Sequence, residues 1–142
     1  MKPMDFAKAA GVAIVVLVLN VLIAVLVIVA YSIVIEPGHP KEYYDAAALR
    51  IAPWCSHIFG TALFFAAGYF FARRRPERNG LLFAVAFTVL YAIIDSATVG
   101  FVGALSVEHG LSMLAKLLAA LAGAFLATRK RAVPAVPQEG VT

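Results

Sequence analysis

The chain has 142 residues, of which 63% are hydrophobic and 14% charged, with a formal net charge of +4 and one cysteine. So little polar surface excludes a water-soluble domain of this size. A lone cysteine, Cys55, excludes an intrachain disulfide and a CxxC redox pair.

The first apolar run, residues 9–35, carries no charge. At about 1.5 Å per helical residue it more than crosses a hydrocarbon core of roughly 30 Å. It is also too long for the apolar stretch of a cleaved signal peptide. A helix over about 6–35 is expected, ended by "EPGHP" at 36–40, where two prolines and a glycine forbid continuation. The next segment, "KEYYDAAALRIAPW", fits either a short helix on the membrane surface or a first turn of the second helix, kinked at Pro53. The second helix is expected over about 50–72, the third over 80–104 and the fourth over 109–128. Asp95 is the one charge in the third run and Lys116 the one charge in the fourth. Barrel strands alternate apolar and polar residues over about ten positions, whereas these runs stay apolar for about twenty, so helices are the only spanning solution. The expected fold is all-α and integral to the membrane: four transmembrane helices in an antiparallel bundle over residues 1–131. The tail at 132–142, "AVPAVPQEGVT", reads as disordered and cytoplasmic.

Orientation follows from the basic residues. Lys2 and Lys8 lie at the N-terminus, Arg73, Arg74, Arg75 and Arg78 fill the second loop, and Arg129, Lys130 and Arg131 follow the fourth helix. The first loop has only Lys41 and Arg50, offset by Glu36, Glu42 and Asp45, and the loop near 104–109 has neither lysine nor arginine. The positive-inside rule therefore places both termini in the cytoplasm. The basic residues then face anionic headgroups, so the net charge calls for no nucleic-acid partner. The composition and the lack of N-x-S/T sites fit a bacterial inner membrane.

The chemistry-bearing residues are the polar groups inside the spans. Asp95 lies roughly 13 Å below the outer end of its helix and Lys116 roughly 12 Å below the same surface, with His57 roughly 6–10 Å down. Thr88, Tyr91, Asp95 and Thr98 form one stripe on the third helix. Opposite charges at one depth predict an Asp95–Lys116 ion pair, with His57, Tyr91 and Asn20 hydrogen-bonding around it, since an isolated charge in hydrocarbon costs at least about 2.5 kcal/mol. Cys55 and Ser56 do not make a nucleophile–base pair with His57, because helical residues one or two apart face different ways. A metal site from His57, Asp95 and His109 lacks ligand spacing, and His109 stands too close to a helix start for bis-histidine haem with His57. Neither metal nor cofactor is therefore expected.

Two functions compete. One is a small membrane protein whose outer-half polar pocket, built from Asp95, Lys116, His57, Tyr91 and Asn20, binds or conducts a small solute or proton. The other is a non-catalytic accessory or assembly subunit of a larger membrane complex, in which the pair only fixes helix register. An enzyme ranks last. The partner set is the lipid bilayer and a homodimer or larger complex. The small-residue ridge Ala115, Ala119, Gly123 and Ala127 on the fourth helix offers a face for a second copy.

Overall fold

A computed structural model describes residues 3–74, 79–101 and 106–129. The tail expected at 132–142 and the end of the third helix near 104 lie outside them. Four long helices make up the fold: α1, Pro3–Ala30; α2, Lys41–Arg74; α3, Gly80–Phe101; and α4, Val107–Arg129. Each is long and apolar enough to cross a membrane, α1 together with the turn that extends it. Large side chains such as Val18, Leu22, Ile58 and Leu118 are exposed on the outside of the bundle. An apolar surface of this extent is stable against lipid and not against water.

Local chemistry sets the ends of the helices. The last turn of α1, Tyr31–Ile35, widens to a π-helix, closed by the Glu36 N–H donating to the Tyr31 carbonyl at 3.0 Å. Pro37 stops it, and Gly38 turns the chain with φ +87°, where a Cβ would be strained. The Tyr44 hydroxyl ties this turn down by donating to the Glu36 carbonyl at 2.7 Å and accepting the His39 N–H at 3.1 Å. Asn79 Oδ1 caps α3 by accepting the Leu82 N–H at 3.2 Å. Ser106 Oγ does the same for α4 through the His109 N–H.

Helix α2 begins at Lys41, well before the boundary expected near residue 50. The segment 41–49 is the helix itself, stabilised at its start by Glu42 in the first turn and by the i,i+4 pair Lys41–Asp45 at 3.3 Å. Pro53 sits inside α2 without ending it, at the cost of one backbone hydrogen bond.

Two packing modes hold the bundle together. Helices α2 and α4 meet backbone to backbone: a Cβ at Gly68 would collide with the Ala120 carbonyl, and one at Gly123 with the Phe65 carbonyl. The ridge containing Gly123 and Ala127, expected to face a second copy, is therefore used within the chain. Both residues are buried here because small side chains are what let two backbones approach. Toward α1 and α3 the core is aromatic. Phe64 packs on Phe87 at 5.3 Å and edge-on against Tyr91 at 4.7 Å, and Phe83 joins Phe71 and Phe87. Ala9, Ala13, Val16 and Ala84 fill the remaining space.

Candidate functional site

Every helix contributes a polar group to one node above this aromatic core. Lys116, on α4, is only 1% exposed. Its Nζ donates to Ser56 Oγ on α2 at 2.8 Å and lies 5.2 Å from the centre of the Tyr91 ring on α3. Asn20, buried on α1, donates through Nδ2 to Ser56 Oγ at 3.0 Å and to the Tyr91 hydroxyl at 3.2 Å. Its Oδ1 is buried and has no hydrogen-bond partner, the one such side-chain atom among the described residues. Gly60, one turn beyond Ser56, makes room for this arrangement. A Cβ there would stand 2.8 Å from Lys116 Cε and 3.3 Å from Asn20 Oδ1.

A second cluster sits beside the first, nearer the start of α4. His109 Nε2 is 3.7 Å from Asp95 Oδ2 and 3.3 Å from Ser96 Oγ, and the His109 and Asp95 side chains are both mostly buried. Asp95 lies one helical turn beyond Tyr91 on α3, which places it between the two clusters. Phe64 and Phe87, fully buried, close the node on its other side. There the polar side chain of Thr88 is already spent on the Ala84 carbonyl at 2.8 Å.

Of the five residues expected at the site, three form one hydrogen-bonded or stacked unit: Asn20, Tyr91 and Lys116. Asp95 is adjacent but does not form the expected ion pair with Lys116; its partner is His109. Equal depth fixes height in the membrane and not the rotation of each helix, and α4 turns Lys116 toward Ser56. His57 is not in the node. Its ring lies 6.5 Å from Trp54, and its carbonyl accepts the Thr61 hydroxyl. Neighbouring residues on a helix differ by about 100° in direction, so turning Ser56 inward turns His57 away. The site residues not anticipated are Ser56 and Ser96. A signal was present in the i,i+4 row Ser56, Gly60, Phe64, Gly68, which marks the inward face of α2. No group of three or more His, Cys, Asp or Glu able to hold a metal occurs among the described residues.

Comparison with known proteins finds no matching family, no matching curated protein and no matching solved structure.

Proposed function

We propose that this is a proton-binding integral membrane protein. It would be an antiparallel four-helix bundle of a bacterial inner membrane, with both termini cytoplasmic and its ionisable node in the outer half. The carrying observation is the burial of Lys116 to 1% exposure with a hydroxyl and an aromatic face as its partners, beside the Asp95–His109 pair. Ionisable residues inside a membrane are costly and mark ion or proton pathways. A proton is the occupant favoured over a larger solute, because the space at Gly60 is already filled by Lys116 and Asn20.

In this reading His109, near the start of α4, exchanges protons with the outer aqueous phase. Asp95 stands 3.7 Å from His109 and one turn from Tyr91 on α3, beside Lys116. The ring pair Phe64 and Phe87 ends the polar row, which supports uptake and release from one side over conduction across the bundle.

Infrared difference spectra of the reconstituted protein test this. A carboxyl band that responds to acidification of the outer solution and vanishes in Asp95→Asn is the expected result. A carboxylate signal unchanged between roughly pH 4 and 9 would leave the node a structural fastener, as in an accessory subunit, and sink the proposal.

A further inference from the structure

One cavity is built where α1 begins, α2 ends and α3 begins. It has a volume of about 640 Å³, within the span of small-molecule sites. Its walls are apolar: Val12, Val15 and Leu19 from α1, Leu63 and Phe70 from α2, and Phe83 from α3. Its polar groups, Asp5, Lys8 and Asn79, all come from the helix ends. Lys8 is exposed, whereas Asp5 is buried and engaged. Arg74, also exposed, is outside the lining itself and lies one turn beyond two of the lining residues, Phe70 and Phe71, at the end of α2.

Gly11 is the informative residue. It lines the cavity in the interior of α1, and a Cβ placed on it would meet nothing within 4 Å. An interior helical glycine is less stable than alanine, and here no close backbone approach explains it. What it does is keep the wall hollow, as do Ala66 and Ala67 opposite.

We propose that this crevice holds one acyl chain of an anionic glycerophospholipid, whose phosphate is bound by Lys8 and Arg74. The apolar walls fit the chain and the cationic mouth fits the headgroup. Anionic lipids concentrate in the cytoplasmic leaflet, and juxtamembrane lysine and arginine side chains attract them. The proposal depends on none of the residues of the polar node, so either can fail without the other.

The test is thermal unfolding of the full chain in detergent, titrated with phosphatidylglycerol or phosphatidylcholine of the same acyl composition. Phosphatidylglycerol should raise Tm more than phosphatidylcholine, and the difference should vanish in Lys8→Gln/Arg74→Gln. Gly11→Leu, which extends into open space, should keep the lipid-free Tm and lose the response to both lipids. Equal responses to the two lipids in the wild type, or a full response in Gly11→Leu, would overturn the proposal. So would a Gly11→Leu variant whose only change is loss of a dimer, because the crevice would then belong to a second copy of this chain.

Discussion

The ammonium of Lys116 donates to the hydroxyl of Ser56 at 2.8 Å, and no ion pair joins it to Asp95. A hydrogen bond to a charged group contributes roughly 1.5–3 kcal/mol. A double-mutant cycle of Ser56→Ala with Lys116→Met, read from unfolding in detergent, should therefore show a coupling of that order. The cycle of Asp95→Asn with Lys116→Met should show a smaller one, since Asp95 is held by His109. A larger coupling in the second cycle would mean that the two charges pair directly after all.

Gly60 is the residue that lets Lys116 reach inward. A methyl group at this position would press on Lys116 Cε at 2.8 Å and on Asn20 Oδ1 at 3.3 Å. Overpacking of this kind typically costs about 1–3 kcal/mol. Gly60→Ala should lower Tm in the wild-type background and cost much less when Lys116 is alanine. An equal loss in both backgrounds would show that Gly60 matters to the backbone of α2 and not to the lysine.

Tyr91 serves the node in two ways that substitution can separate. Its hydroxyl accepts from Asn20 Nδ2 at 3.2 Å, while its ring lies under the Lys116 ammonium. Tyr91→Phe removes the hydroxyl and keeps the ring, and should cost about 0.5–1.5 kcal/mol, because Asn20 keeps Ser56 as an acceptor. Tyr91→Leu also removes the ring from beneath Lys116 and from its edge-on contact with Phe64, so its cost should be clearly larger. Chemical denaturation of the two variants side by side decides it; equal losses would deny the ring any part in holding the ammonium.

The four spans could be read from the sequence because nothing but a helix satisfies a backbone in an apolar run of about twenty residues. The start of α2 was harder to place. Lys41, Glu42 and Asp45 look like a solvated loop, yet they form the first turns of one helix that continues past Pro53. The spacing of the polar residues along each helix was legible as well, since rise per residue is fixed. Their partners were not, because partner choice depends on how each helix is rotated about its axis. That rotation is set by Gly68 against the Ala120 backbone and Gly123 against the Phe65 backbone, and small residues in a sequence mark a close approach without saying which backbone makes it. Once these fix α2 against α4, Ser56 faces Lys116 and His57 faces away.

The same contacts yield a prediction about glycines. A Cβ at Gly68 or Gly123 would run into backbone carbonyls, which cannot swing aside as a lysine tip can. Gly68→Ala and Gly123→Ala should each force α2 and α4 apart, removing Ser56 from reach of Lys116 and lowering Tm more than Gly60→Ala does. Gly11→Ala should do the reverse: its Cβ meets nothing, and the gain in helix propensity is about 1 kcal/mol, so Tm should hold or rise. Circular dichroism melts of the four alanine variants supply the ranking. If Gly68→Ala and Gly123→Ala melt with the wild type, the two helices are not packed backbone to backbone, and the rotation that brings Ser56 to Lys116 needs another cause.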